Sequence, residues 1–349
     1  MLRLGAVGDV VRTLPAASAL RDHYREAHIA WLVEPAAESL LRAIAWLDEV
    51  IVFPRGELRE RARSGDLRAC FAILRRFREE LRRREFDTVV DFHAILKSGL
   101  LAWLSGAPRR VSYAPPFARE GSQWLATHRA ALGSAKRSRF DRNLGLVRYL
   151  GIESGPRDRP FEVAPEAVRA ALESFELAEG EEPPVVLNPG TSPGAAHKRY
   201  TVDGYADVAR RLRERGVASL VTWGPAPEER AFAEAVVAAA NGAARLAPAT
   251  PSLVSLAALL SCARLYIGSD TGPMHLASLV GTPVVQLMGP TDPVENEPFA
   301  GTPWRRVRVQ IACNPCRRGC SAALCMGLIR PVDVVREALD LLTVADRRC

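Results

Sequence analysis

Ser269-Asp270-Thr271-Gly272-Pro273-Met274-His275-Leu276-Ala277, followed by Gly281-Thr282-Pro283-Val284-Val285-Gln286-Leu287-Met288-Gly289-Pro290-Thr291-Asp292-Pro293, decides how this chain is read. The apolar residues Leu265 to Ile267 predict a strand that runs into a small polar turn and then into a helix. The unpaired N–H groups of such a turn lie at the positive end of the helix dipole, where an anion is held well. In a chain of alternating strands and helices the turn falls at the carboxyl edge of a parallel sheet, the place where open α/β sheets bind ligands. A phosphorylated ligand is therefore expected. The plainer use of these residues is a capped helix, with Asp270 as N-cap, Pro273 in the first turn and His275 in a core. The strand before, the helix after and the second strand ending in Gly289-Pro290-Thr291-Asp292-Pro293 favour a site.

Outward from this stretch the alternation continues. Strands are expected at Ile29 to Val33, Val50 to Phe53, Thr88 to Phe92 and Arg110 to Tyr113, with helices at Leu14 to Tyr24, Leu67 to Arg83 and Leu96 to Leu104. A polar segment with Pro and Gly, Gly151 to Pro160, reads as a linker. The pattern restarts with Pro184 to Leu187, a helix from Val202 to Arg215, a strand from Ala218 to Trp223 and helices at Pro227 to Ala240 and Ser252 to Ser261. The expected fold is α/β, with two doubly wound Rossmann-like domains, residues 1–155 and 156–349, facing a central cleft. The final helix, from about Pro331 to Leu342, is the element expected to pack back on the first domain.

Composition narrows the class. The 349 residues are 48% hydrophobic and 25% charged, ordinary for a globular protein. No run approaches the roughly 18 apolar residues of a membrane span, and no long apolar leader opens the chain, so a cytoplasmic protein is expected. Met1-Leu2-Arg3-Leu4 makes a short first strand, which suggests a start codon further upstream. Gly5-Ala6-Val7-Gly8-Asp9 lacks the spacing of a dinucleotide fingerprint, which weighs against a nicotinamide enzyme.

Charge is uneven. Residues 1–160 carry a net +9 and the remainder a net −2, and between Arg55 and Arg84 eleven arginines face five acids. Leu67, Phe71, Leu74, Phe77 and Leu81 repeat at helical spacing, so a solvated amphipathic helix accounts for part of this run. The other account is an anionic partner drawn to the N-terminal domain.

Together these residues resemble the glycosyltransferase family 9 heptosyltransferases of lipopolysaccharide core synthesis, over nearly the whole chain. Gly5 to Ala16 is similar to the family's opening loop, and Asp270 to His275 with its Gly-Pro-Thr-Asp-Pro sequel to its nucleotide-sugar signature. Lys198-Arg199-Tyr200-Thr201 stands where the family has Lys-x-Trp-Pro, and Trp223-Gly224 with Glu228 where it has Trp-Gly followed by an acid. Asp91 to Ser98, Arg119-Glu120 and Asp141-Arg142-Asn143 resemble weaker landmarks; His93 stands where a glutamine is common.

The resemblance implies the glycosyltransferase B fold, an ADP-heptose donor in the C-terminal domain and an anionic lipopolysaccharide-core acceptor in the N-terminal domain. It also implies an enzyme resting peripherally on the inner face of the inner membrane. Asp9 is the expected general base and Lys198 the partner of the donor diphosphate. Thr191, Ser192, Glu228, Asp270, Thr271, Gly272 and His275 complete the expected donor site, and Arg59, Arg61, Arg63, Lys97, Arg119 and Arg142 are the acceptor candidates. No catalytic metal is implied. The spacing of Cys313, Cys316, Cys320 and Cys325 matches a structural zinc site or, failing that, a thiol-rich loop. Three other readings stay open at this level. One is a family 9 enzyme with another donor or acceptor, one a fold relative without activity, and one a nucleic-acid-binding protein, though no aromatic-basic interleaving supports the last.

Overall fold

Each half of the chain folds around one parallel sheet. The computed structural model describes residues 1–133, 135–153, 161–176, 182–316, 319, 320 and 322–346, and the chain divides into two compact units, Met1–Gly155 and Pro156–Cys349. The expected linker lies outside the described residues from position 154 to 160.

In the first unit β1 (Ala30–Val33) pairs with β2 (Glu49–Val52), and β3 (Thr88–Val90) with β4 (Arg109–Tyr113) and β5 (His128–Ala130), all parallel. The short opening segment joins the two groups: Leu2 bridges both Leu32 and Asp91, and its N–H donates to the Val90 carbonyl at 2.9 Å. Strand order is therefore β2-β1-segment 1–4-β3-β4-β5. The chain reverses direction across the sheet between the opening segment and β3, so the loops leaving these two strands diverge and leave a crevice.

Both faces of this sheet are covered. On one, Ala16 and Leu20 of the Leu14–His23 helix and Leu144 and Val147 of the Arg139–Tyr149 helix pack on Val90, Val111 and Tyr113. On the other, Phe77 and Leu81 of the Leu67–Arg82 helix and Leu101 of the Leu96–Leu104 helix pack on Leu2, Leu32, Ile51 and Val89. The helix at 67–82 departs from its expected stripe. Ile73, Phe77 and Leu81 are its buried residues, whereas Leu67, Phe71 and Leu74 are exposed. The anchoring contacts come late in the helix: the Phe77 ring meets Phe53 edge-on at 5.5 Å, and Arg82 Nε donates to the Leu104 carbonyl.

The second unit contains β6 (Val185–Asn188), β7 (Ser219–Val221), β8 (Arg245–Leu246), β9 (Leu265–Ser269), β10 (Val284–Met288) and β11 (Trp304–Arg308) in the order β11-β10-β9-β6-β7-β8. All pair in parallel, and every residue of β6, β9 and β10 is buried, as a sheet covered on both faces requires. Here the reversal falls between β6 and β9. The Pro331–Asp346 helix places Val334, Ala338, Leu341 and Leu342 in the core of this second unit. Its apolar stripe is consumed by β10, β11 and the Val202–Arg213 helix.

Candidate functional site

In the second unit the reversal point is spanned by one ion pair. Lys198, at the end of the loop leaving β6, reaches Asp270, at the exit of β9, with Nζ 3.1 Å from Oδ2 and 3.3 Å from the Asp270 carbonyl. Asp270 is 5% exposed, and its other oxygen meets Nε2 of the buried His275 at 3.2 Å. Asp270 is therefore a brace between loop and helix and not the N-cap. Thr271 takes that position with extended backbone, and its side chain makes no capping hydrogen bond to the Gly272–Leu279 helix. The first N–H groups of this helix lie at the reversal point and are not taken up by the N-cap side chain.

Other expected donor residues take varied positions. Thr191 is buried and its hydroxyl accepts from Arg199 at 3.0 Å, which steadies the loop; Ser192 is exposed at the start of the turn Pro193–Lys198. The Oδ1 of buried Asn188, at the end of β6, and the Oγ1 of Thr291 have no hydrogen-bond partner among the described residues, as expected of groups that await a polar ligand.

Glu228 and Glu229 take different environments. Glu228 is exposed at the start of the Pro227–Ala240 helix, and the next residue, Glu229, turns inward. A Cβ added at Gly190 would lie 3.0 Å from Glu229 Oε1, and one added at Gly224 would overlap Oε2. The two glycines thus make room for this carboxylate behind the exits of β6 and β7, and burial pushes its pKa up. A helix has 3.6 residues per turn, so neighbours at its start point about 100° apart, and spacing alone does not choose between them.

Tyr200, which replaces the family's tryptophan, is a core residue. Its hydroxyl donates to the Ile329 carbonyl at 2.8 Å and its ring meets Tyr205 edge-on at 5.2 Å.

The first unit gathers charge at its own reversal point. Asp9 lies in the short Val7–Val11 helix and meets Arg12 at 2.7 Å, Arg139 at 3.0 Å and the Arg3 guanidinium. Burial raises its pKa, but Arg3, Arg12 and Arg139 together outweigh that and hold it well below the usual carboxylate range. Asn143 fixes this arrangement, donating to the Arg12 carbonyl and to Thr13 Oγ1 at 3.0 Å each and accepting from the Tyr113 hydroxyl at 2.9 Å. Arg142 stacks over Phe117 at 5.5 Å and Tyr113 at 5.7 Å, and its Nε has no hydrogen-bond partner among the described residues.

At the neighbouring exit, Asp91 accepts from Ser98 at 2.8 Å and from the His93 N–H at 2.9 Å, and burial pushes its pKa up to about 6. Burial and then Arg3 bring His93 down to about 4, so its imidazole is neutral at pH 7. Arg119 is exposed and close enough to add to that effect.

Of the acceptor candidates, Arg142 lies close enough to feel the Asp9 charge, and Arg119 lies close enough to act on His93 at the neighbouring exit. Lys97 does not stand free: its ammonium pairs with Glu34 at 2.6 Å and covers the Phe53 ring at 4.4 Å. Arg59, Arg61 and Arg63 lie exposed on the Arg55–Arg63 helix, which has no buried residue to fix them. Sequence reasoning missed Arg3, Arg12 and Arg139. Arg12 follows Asp9 by three residues, a spacing that brings helical side chains together, but Arg139 is 130 positions away and gives no local signal.

The four clustered cysteines are free thiols. Cys325 is buried, and burial, then the thiols of Cys316, Cys313 and Cys320, raise its pKa. Among the described residues no three His, Cys, Asp or Glu side chains are arranged to hold a metal ion.

Comparison with known proteins shows the family. The family description "Glycosyltransferase family 9 (heptosyltransferase)" matches residues 74–326. Lipopolysaccharide heptosyltransferase 1 of Pseudomonas aeruginosa is 28% identical, covering 98% of this chain and 90% of the relative. Among solved structures, a family 9 glycosyltransferase from Veillonella parvula superposes with TM-score 0.78 at 21% identity, covering 98% of this chain and 96% of that one. The E. coli heptosyltransferase WaaC with ADP gives 0.76 at 19%, covering 97% and 98%.

Proposed function

The chain belongs to glycosyltransferase family 9 and is a glycosyltransferase of the B fold, and from that premise we propose that it transfers a heptose from ADP-heptose to the inner core of lipopolysaccharide, with inversion. The observation that carries this reading is the Lys198–Asp270 pair set across the reversal point beside a helix start that the Thr271 side chain does not cap. A nucleoside diphosphate needs such a fixed cation and free N–H groups, because negative charge grows on the leaving group as the sugar bond breaks.

In this reading Lys198 and the N–H groups of Thr271 and Gly272 hold the diphosphate, and Thr191 and Ser192 add hydroxyls. Glu229, beside the expected donor residue Glu228, accepts hydrogen bonds from the ribose. His275 keeps Asp270 in place. No metal takes part in this scheme.

Asp9 takes the proton of the acceptor hydroxyl as that oxygen attacks the anomeric carbon. Three guanidiniums make its carboxylate a weak base in the free enzyme. An acceptor bearing phosphates and acidic sugars supplies competing anions for Arg12 and Arg139, and Asp9 gains basicity as those partners turn to the acceptor. The base is thereby strengthened only when an acceptor is seated. Such an acceptor is anchored in the inner membrane by its lipid, so the enzyme works at that surface.

Titration with ADP-heptose and with other nucleotide sugars, followed by turnover on a heptose-deficient core acceptor, tests the reading. Saturable binding and transfer with ADP-heptose alone are expected. Failure of ADP-heptose to bind while another nucleotide sugar saturates the site sinks the donor assignment.

A further inference from the structure

Two neighbouring helices of the first unit leave large apolar side chains open to solvent. In the Leu96–Leu104 helix the exposed residues are Leu96, Leu100 and Trp103, so its whole open stripe is apolar. An ordinary surface helix carries polar residues there. Beside it, the Leu67–Arg82 helix exposes Leu67, Phe71 and Leu74, again at helical spacing, and Phe71 keeps 71% of its surface open. The two helices touch through the Arg82 hydrogen bond to the Leu104 carbonyl. On the far side of the Leu96–Leu104 helix, the turn Ser122–Trp124 presents Trp124, 74% exposed, with the Arg129 guanidinium 5.3 Å from its ring. Gly99 admits this turn closely: a Cβ there would lie 3.0 Å from Leu125 and 3.5 Å from Ser122.

We infer that these two helices and the Ser122–Trp124 turn form a docking face for an anionic phospholipid bilayer. The row Leu67, Phe71, Leu74 ends in Arg78 and is flanked by Arg68 and Arg75, all exposed. This is the layout of a helix lying in a membrane interface: apolar tips enter the acyl boundary while arginines beside them meet lipid phosphates. Tryptophan favours the same layer, since its ring is amphipathic. The excess of eleven arginines over five acids between Arg55 and Arg84 supplies charge complementarity to an anionic leaflet. Two copies meeting through this face would set one arginine-rich surface against another, and like-charge juxtaposition argues against a second copy as the occupant. No described helix is long and apolar enough to cross a membrane, so contact is confined to the surface layer.

This deepens the proposed function by naming how the enzyme meets the membrane that holds its acceptor, and the test reads it without turnover. The full chain is sedimented with vesicles of phosphatidylglycerol and phosphatidylethanolamine, and with vesicles of phosphatidylcholine alone. A triple variant, Phe71→Ser with Leu100→Ser and Trp103→Ser, alters only exposed side chains, and circular dichroism checks its fold. A second variant, Arg75→Gln with Arg78→Gln, removes charge alone.

The wild type is expected to bind the anionic vesicles and not the neutral ones, with brominated lipid quenching its tryptophan fluorescence. The triple variant should lose about tenfold or more in vesicle affinity. The charge variant should weaken at low salt and match the wild type at high salt. Unchanged binding by the triple variant, or no binding by the wild type, overturns the inference. So does a dimer that the triple variant dissociates in analytical ultracentrifugation while vesicle binding persists, or retention of single-stranded RNA in place of vesicles. Wild type that binds vesicles but neither binds nor turns over ADP-heptose removes the proposed function and leaves the docking face standing.

Discussion

Replacing Lys198 with Ala separates a diphosphate-binding lysine from one that merely neutralises Asp270. The Lys198 side chain keeps 24% of its surface open, so its pair with Asp270 is screened and worth about 1 kcal/mol to folding, well short of the 3–5 kcal/mol lost when a fully buried pair is broken. Such a loss lowers the melting temperature by about 2–4 °C in a unit of this size. Turnover should suffer far more. Removing one preorganised charge from a developing anion costs about 2.7–4 kcal/mol, or roughly 10²–10³ in kcat. ADP release under saturating ADP-heptose measures the second quantity and calorimetry the first. Lys198→Arg keeps the charge and should restore part of the rate. A Lys198→Ala enzyme within about threefold of wild-type kcat would falsify direct action on the diphosphate. Recovery of turnover in the Lys198→Ala, Asp270→Ala double variant would show that the lysine acts only through its partner.

Three further outcomes are expected. Asp9→Asn should lower kcat by about 10²–10⁴ while ADP-heptose still binds with wild-type affinity, and a surviving rate retires Asp9 as the base. Because arginines hold Asp9 ionised, the acid limb of kcat/KM in the free enzyme should not arise from it above about pH 4. Glu229→Gln should raise the donor KM about tenfold to a hundredfold through weakened charge-assisted hydrogen bonds, while Glu228→Gln stays near wild type; the opposite pattern returns the ribose contact to Glu228. Asp91 and His93 should give opposed pH effects on stability. Asp91, raised to about 6, contributes stability below about pH 3.9 that is lost as pH rises through 6; His93, lowered to about 4, contributes stability above about pH 6.5 that is lost as pH falls through 4. The two slopes largely cancel in the wild type. Asp91→Asn can still pair with Ser98 and the His93 N–H, so its melting temperature should climb between pH 4 and 6.5; a flat profile contradicts the assignment.

The helix at 67–82 shows how sequence periodicity can identify an element and misplace its face. Leu67, Phe71, Leu74, Phe77 and Leu81 mark a helix correctly, and the structure keeps only Phe77 and Leu81 of that row in the core, adding Ile73. Periodicity reports which side chains share a side of the helix, and says nothing about how far the sheet beneath extends. Leu67, Phe71 and Leu74 keep the spacing and stay open to solvent.

Features legible in the order of residues were local: the alternation of strands and helices, the two-unit plan, the Asp270–His275 turn and the candidacy of Asp9 and Lys198. Strand and helix periods, turn chemistry and short-range spacing are properties of neighbouring residues, which is why they can be read there. Long-range folding was needed to show which arginines surround Asp9, that Glu229 and not Glu228 fills the space left by Gly190 and Gly224, that the last helix packs in the second unit, and that one stripe of leucine and tryptophan stays open. Arg3 and Asp9 share the opening segment and its exit loop, and Arg139 reaches them because the Arg139–Tyr149 helix packs on the Leu14–His23 helix, with Asn143 bonded to Arg12 and Thr13. That arrangement is set by long-range backbone pairing and by packing on both faces of the sheet, and neither leaves a mark in the spacing of the residues it unites.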